Sequence, residues 1–431
     1  MTERKPTPAG AVLVAVDISK HRNDVLIAEP GRRRRRRLVV LNTREDHDRF
    51  VEKLSAYDAP VRVGFEATGN YHRPLAFRLH QAGFELRLLS SLALSRTREA
   101  IHNGWDKNDP KDAQVMLRML ETGLTQTFHD PLVAGVGDIQ ELSKTHEAIS
   151  RTKTQVWHRL LTHYLPLYFP EVEKFKGNAR SDWFLAFLEM FPTPGSITAL
   201  DKEAFVQAAW KIVGRKVSKR RLLEDIYDTA ASSIALPVPL DSSSIGMFRM
   251  ILAEGRSLIQ KRNEIERQAI ERLGDHPDYK RLCTIPGIGP INALTIMAEA
   301  GDLRRFRHHR QFLKYCGLDL STQQSGLFRG QTKLSKFGNA RLRRALWMAA
   351  QVAIKQRDNG FRDKLERYIA KDRSDKDLRR KALTAVAAKV ARTAHALITS
   401  GADFRPFHDR VGPGGRIPLA QSRGGARPAT S

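Results

Sequence analysis

Apolar and polar positions alternate along this chain in two different rhythms. Ala11 to Val16 is an unbroken apolar run, the pattern of a buried strand, with Asp17 at its end. Val25 to Ala28, Leu38 to Leu41, Val61 to Phe65 and Phe84 to Leu89 read as further strands, and Glu66 closes the fourth. Between them, Arg44 to Leu54 and Tyr71 to Ala82 have helical spacing, the second stopped at Gly83. The order is three strands, helix, strand, helix, strand, helix. It predicts an α/β domain with a mixed sheet over residues 1–130.

From about Gly135 the strand signals vanish. Ile139 to Leu161, Trp183 to Phe191, Lys202 to Val213 and Ser218 to Ala231 have helical patterns, interrupted by Pro166 and Pro170. Ser242 to Leu273 reads as one long helix. Its Ile251, Leu258 and Ile265 lie seven apart, with Leu252 and Ile259 beside them. Such a narrow seam fits a short coiled-coil arm or a helix packed on its own domain. Residues 131–275 thus read as a helical, coiled-coil linker region, and residues 276–404 as a mainly α domain with basic loops. Residues 405–431, rich in Gly, Pro and Arg, read as a disordered basic tail.

Charge narrows the choice of partner. The chain has 431 residues with 73 Lys and Arg against 47 Asp and Glu, a net charge of +26. The excess is clustered, which favours a polyanion, because release of counterions from phosphates drives binding. Two cysteines, Cys283 and Cys316, cannot build a disulfide framework or a cysteine zinc site. No secretory signal or membrane-length apolar run is apparent, so a cytoplasmic location, beside the bacterial nucleoid, is expected.

The candidate chemistry starts with acids. Asp17 and Glu66 end strands that can lie side by side, and Asp109 and Asp112, three apart, share one helical face. Four converging carboxylates in a strongly basic protein suit hard cations, Mg²⁺ or Mn²⁺, and two such ions can stabilise the attacking and leaving oxygens of phosphodiester cleavage. Each acid also has a plain reading. Asp109 precedes Pro110 as a helix N-cap would, and Asp17 could be a turn residue.

Three segments, Val16-Asp17-Ile18-Ser19-Lys20, Glu66-Ala67-Thr68-Gly69-Asn70-Tyr71 and Lys107-Asn108-Asp109-Pro110-Lys111-Asp112-Ala113, resemble the signatures of the DEDD transposases of the insertion sequence 110 family. Ile285 to Pro290, Tyr315-Cys316-Gly317-Leu318, Ser325-Gly326 and Ser335 to Arg343 resemble that family's second domain, in the expected order. The resemblance implies a RuvC-like, ribonuclease H-like nuclease domain carrying Asp17, Glu66, Asp109 and Asp112. It implies a serine nucleophile, which maps onto Ser325, and a structured bridge RNA that guides donor and target DNA together. It also implies a homo-oligomer, a dimer or tetramer, in which one chain's acids serve another's serine. Asn108 stands where a hydroxyl residue is common, and residues 169–239 are longer than in compact members.

The second domain has its own signals. Gly287 and Gly289, in Ile285-Pro286-Gly287-Ile288-Gly289-Pro290, could form a helix-hairpin-helix-like turn whose backbone N–H groups face a phosphate, or simply a tight turn needing glycine. Between Leu303 and Ala345 stand eleven basic residues, Arg329, Lys333, Lys336, Arg341, Arg343 and Arg344 among them, against one acid, Asp319. That bias points to a nucleic-acid-binding face. Ser325 by composition is only a serine in a polar loop, with Ser335 as its rival. Arg32 to Arg37 could bind phosphates or blunt an edge strand. Beside the transposase reading stand a junction-resolvase-like metal nuclease that never joins DNA, and a non-enzymatic nucleic-acid-binding protein.

Overall fold

A computed structural model describes residues 8–102, 109–129, 132, 135–177, 182–214, 218–322, 324–325, 328–330, 332–357 and 359–406. The tail expected over 405–431 therefore lies almost wholly outside the described residues. The chain divides into two compact units, Met1–Asp138 and Ile139–Ser431.

The first unit contains β1 (Val12–Ile18), β2 (Arg22–Ala28), β3 (Arg36–Leu41), α1 (Arg44–Ser55), β4 (Val61–Glu66), α2 (His72–Gln81), β5 (Glu85–Leu89), α3 (Ser91–His102), α4 (Asp109–Glu121) and β6 (Gln126–Thr127). The sheet order is β3-β2-β1-β4-β5-β6. β1, β4 and β5 are parallel, whereas β2 and β3 form an antiparallel meander on one side and β6 pairs antiparallel on the other. A mixed sheet with flanking helices is compatible with a ribonuclease H-like domain.

Period-2 alternation sorts β1 between two cores. Val12, Val14 and Val16 pack with Phe50 and Leu54 of α1 and Leu75 and Leu79 of α2. Leu13 and Ala15 turn the other way, onto Met116 and Leu120 of α4 and Leu94 of α3. Gly64 marks the same face of β4, since a Cβ there would lie 2.6 Å from Leu120. A larger residue would push α4 off the sheet.

The second unit is mostly helical: α5 (Gly137–Arg159), α6 (Leu165–Tyr168), α7 (Trp183–Met190), α8 (Pro194–Thr198), α9 (Lys202–Trp210), α10 (Lys219–Ala231), α11 (Ser243–Leu273), α12 (Pro277–Thr284), α13 (Pro290–Ala300), α14 (His309–Tyr315), α15 (Ala340–Ala353), α16 (Gly360–Ile369) and α17 (Lys376–Ser400). Four two-residue strands, β7 (Leu320–Ser321), β8 (Gln324–Ser325), β9 (Phe328–Arg329) and β10 (Lys333–Leu334), stand between α14 and α15.

α11 corrects the coiled-coil expectation. Phe248, Leu252 and Ile259 pack into an aromatic core with Phe184 and Phe187 of α7 and Phe205 of α9. Further along, Ala269 and Leu273 enter a second core with Leu294 of α13, Leu346 of α15 and Val390 of α17. Leu258 and Ile265 are buried too. The seam is filled by the helix's own unit, and the middle region carries a core rather than serving as a bare linker.

Candidate active site

The parallel ladder of β1 and β4 runs from Val12 beside Val61 to Val16 beside Phe65. One step on, Asp17 and Glu66 close neighbouring strands. Asp17 follows Leu13 and Ala15 at period 2, and Glu66 follows Gly64, so both acids belong to the α4 face. Both are half-buried.

The direction of α4 decides where its own acids fall. Glu121 at its end is ion-paired with Arg35 at 3.7 Å. Arg35 lies between β2 and β3, beside the start of β1, because Leu13 pairs with Ala28. Leu120 covers Gly64 in mid-sheet. α4 therefore runs antiparallel to β1, and its first turns lie toward the edge where Asp17 and Glu66 end their strands. Asp112 is buried there, and its Oδ1 accepts from Arg98 Nε of α3 at 2.6 Å. Asp109 opens α4; its side chain lies outside what the structure describes.

The donor set is oxygen-only, which fits a hard divalent cation in kind. Among the described residues no group of three His, Cys, Asp or Glu side chains is close enough to hold an ion. Arg98 is the reason Asp112 needs no ion for its charge: a guanidinium already neutralises it.

In the second unit Ser325 stands on a ribbon of two tiers. β7 pairs antiparallel with β10 at the base, and β8 with β9 at the tip, where Ser325 faces Phe328. Ser325 is exposed. The ribbon's base is pinned from several sides. Gly338, at φ +154°, lies so close to the chain that a Cβ would stand 2.4 Å from Gly317 N, and one on Gly317 would stand 2.3 Å from Arg343 Nη1. Arg343 donates to the carbonyls of Cys316 (3.2 Å) and Lys336 (3.1 Å). Asn339 N donates to Tyr315 O at 2.7 Å, its Oδ1 caps α15 at Leu342 N, and its Nδ2 donates to Glu299 at 2.6 Å. Ser335 N donates to Asp319 O at 2.8 Å, which places the rival serine at the base, half-buried, rather than at the tip. Cys316 is fully buried, and burial pushes its thiol pKa up, away from nucleophilic use.

The basic stretch divides into struts and free charges. Arg304 is held by Asp278 at 2.6 Å and by Asp302 at 3.1 Å, and its guanidinium holds the Asp278 carboxyl below the usual range. Arg305 donates to Ala300 O and lies over the Phe306 and Tyr315 rings. Arg341, three-quarters buried, is ion-paired with Glu147 at 2.7 Å and Glu299 at 3.2 Å and donates to Ser143 Oγ at 3.1 Å. With Arg343 these arginines are engaged by partners within the protein. Arg344 is exposed but near Glu147, at 3.5 Å. Lys333 and Lys336 are exposed, and the Arg329 side chain lies outside what the structure describes.

The two hairpin glycines also part company. Gly287, at φ +87°, faces α15 so closely that a Cβ would stand 2.0 Å from Ala349 O, so packing demands it. Gly289 caps α13 with open space on its Cβ side. The residues that sequence reasoning missed are Arg98, Glu299 and Asn339. No spacing signal marks Arg98, an arginine on the preceding helix; Asn339 before Ala340 did carry an N-cap signal.

Residues 14–170 match a DEDD-type IS110 model described as a transposase. Residues 279–366 match one described as the transposase IS116/IS110/IS902 family. The chain is 23% identical over 331 residues to the mini-circle putative transposase for IS117 of Streptomyces coelicolor, covering 73% of this chain and 78% of that protein. It is 26% identical to the IS110 uncharacterized 43.6 kDa protein of the same organism, covering 70% and 72%. The transposase for insertion sequence element IS1111A of Coxiella burnetii is 28% identical over 36% of this chain and 48% of its own length. The chain belongs to the IS110 family of transposases, enzymes that cut and rejoin DNA. Among the described residues no helix is long and apolar enough to cross a membrane.

Proposed function

We propose that this transposase cuts DNA at a ribonuclease H-like, RuvC-like site formed by Asp17, Glu66, Asp109 and Asp112, and keeps the cut end on Ser325. The observation that carries the reading is the shared edge: two strand-end carboxylates on the α4 face, with α4 directed so that its acidic first turns approach them. Bound there, one or two Mg²⁺ or Mn²⁺ ions would supply Lewis-acid stabilisation of the phosphodiester oxygens.

The residues' own parts follow from their chemistry. Ser325 Oγ attacks phosphorus, a Ser–O–P ester forms, and the leaving nucleotide oxygen departs and takes up a proton. A free DNA hydroxyl later attacks the same phosphorus and serine leaves as the alcohol. The bond energy is thus held between cutting and joining, as hydrolysis would not allow. A tip position suits this, since the exposed hydroxyl can reach a bulky duplex. Lys333 and Lys336, with Arg329 and Arg344, supply phosphate contacts, and Gly289 offers backbone N–H groups at the start of α13. A structured bridge RNA selects donor and target DNA, and chains act as dimers or tetramers.

Trapping the adduct under denaturing conditions tests this against a nuclease that never joins and against a mere binding protein. Wild type should carry covalently attached DNA and Ser325→Ala none. An adduct on Ser325→Ala would remove Ser325 and promote Ser335. Mixing Ser325→Ala with Asp17→Asn chains should restore some cleavage if acids and serine are shared between chains.

A further inference from the structure

Arg98 sits where a cation would be expected. Its side chain is 11% exposed, that of Asp112 5%, and they are joined at 2.6 Å. A carboxylate this deep needs a partner, because an unpaired buried charge is costly. A divalent ion on the same carboxylate would repel a guanidinium at such close range by enough to change affinity about tenfold. The two cannot both be held tightly by Asp112. A displaced guanidinium has one natural alternative acceptor in a DNA-cutting site, a phosphate, whose oxygens match its planar fork as a carboxylate does.

We propose that Arg98 is an exchange partner that couples divalent-ion binding to DNA binding. It neutralises Asp112 while the site holds no ion, and passes to a DNA phosphate once that carboxylate is taken. This rests on the reading that Asp17, Glu66, Asp109 and Asp112 hold the ion. Each ligand then removes the obstacle to the other. An ion frees Arg98 for a phosphate, and a phosphate draws Arg98 from Asp112. Linkage makes the effect reciprocal, so DNA must tighten ion binding by the factor by which the ion tightens DNA binding. The device would leave the acids neutralised, and the nuclease idle, until DNA arrives. A purely orienting role for Arg98 predicts the opposite sign, since an arginine that merely holds Asp112 in place would favour the ion.

The test is calorimetric titration of the full chain with Mn²⁺, with and without a generic DNA duplex. In wild type, DNA should tighten Mn²⁺ binding by about tenfold or more, within the usual range of such couplings. Arg98→Gln should bind Mn²⁺ without DNA about tenfold more tightly than wild type, and DNA should add little. Arg98→Lys, which keeps the charge, should stay near wild type. Equal or weaker Mn²⁺ binding by Arg98→Gln overturns the proposal. If Arg98→Gln does not fold, Asp112→Asn and Glu66→Gln are compared for duplex binding in EDTA. Both remove one negative charge, but only the first frees Arg98, so it should bind at least about threefold more tightly; equal binding overturns the proposal. Mn²⁺ binding lost in Asp17→Asn but unmoved by Arg98→Gln sinks only the role of Arg98. Absence of Mn²⁺ binding to wild type, with or without DNA, sinks the ion site and the coupling together.

Discussion

The acid-bearing edge and the serine-bearing ribbon solve the same problem with different means. Asp17 and Glu66 are placed by a ladder whose strands are buried on both faces, and Asp112 by a helix clamped to that ladder through Leu120 and Gly64. Ser325 stands on strands of two residues, exposed, and owes its position to a base made of backbone contacts: Gly317 against Gly338, Arg343 on two carbonyls, Asn339 on three partners. Metal-type chemistry needs several groups held in fixed relation, which a sheet provides. On the proposed reading Ser325 is a nucleophile that must meet a duplex, and it needs reach, which a ribbon provides while its base fixes the direction of approach.

The largest effect should come from breaking the edge. Asp17→Asn should lower strand cleavage by at least about a thousandfold, since polarisation by a bound ion is worth several kcal/mol and each 1.4 kcal/mol is about tenfold. DNA binding in a gel-shift assay should change by only a few-fold. Cleavage by this variant, or by wild type in EDTA, at ordinary rates would remove the acids from the chemistry. Ser325→Ala sharpens the contrast: it should lose the adduct yet bind Mn²⁺ as wild type does.

Much of the first region was legible because its signals are periodic. An unbroken apolar run marked β1, apolar positions alternating with Arg62 in β4 and with Glu85 and Arg87 in β5 marked the other two, and the acids stood at the ends of β1 and β4. The arginine run was left between phosphate binding and a charged edge strand; the fold puts Arg36 and Arg37, exposed, on edge strand β3. The ribbon was not legible, because a two-residue strand has no period and Gln324 to Arg329 has no hydrophobic alternation. Arg341 and Arg343 looked like phosphate ligands by composition, and only the fold places Glu147, Glu299 and two carbonyls against them. α11 showed a heptad seam that two cores of its own unit fill. A sequence shows that a face is apolar, and not which partner covers it.

The hairpin glycines offer a sharper cut. Gly287→Ala should destabilise the second unit by about 3 kcal/mol, because the new Cβ would overlap Ala349 O and the residue would keep a left-handed backbone. Gly289→Ala should cost about 1 kcal/mol or less. A thermal-melt comparison checks this. Equal losses would mean that Gly289 is as tightly packed as Gly287, and that no phosphate can approach it.

Next in size is the division of the basic stretch. Arg341→Ala should cost roughly 2 kcal/mol by leaving Glu299 and Glu147 short of a partner. Its DNA binding should keep the wild-type salt dependence. Lys333→Ala should leave stability within about 0.5 kcal/mol and reduce the salt slope by about one unit. If the slopes behave the other way, the struts are ligands and the exposed lysine is idle.

The smallest effect concerns Lys336, which pairs an exposed charge with a strained backbone. Its φ is +56°, in the left-handed region that costs a side-chain-bearing residue about 1 kcal/mol. Glycine there would relieve the strain, and the greater freedom of the unfolded glycine would offset part of the gain. The carbonyl that accepts from Arg343 belongs to the backbone and would remain. Lys336→Gly should therefore raise stability by about 0.5 kcal/mol, a shift of a degree or two in the thermal midpoint. The same variant should bind DNA with a shallower salt dependence, by about one unit. A stabilised protein with weaker phosphate binding would mean that this lysine is held at a conformational cost for its charge. A destabilised one would make its side chain part of the clamp at the ribbon's base, and the charge incidental.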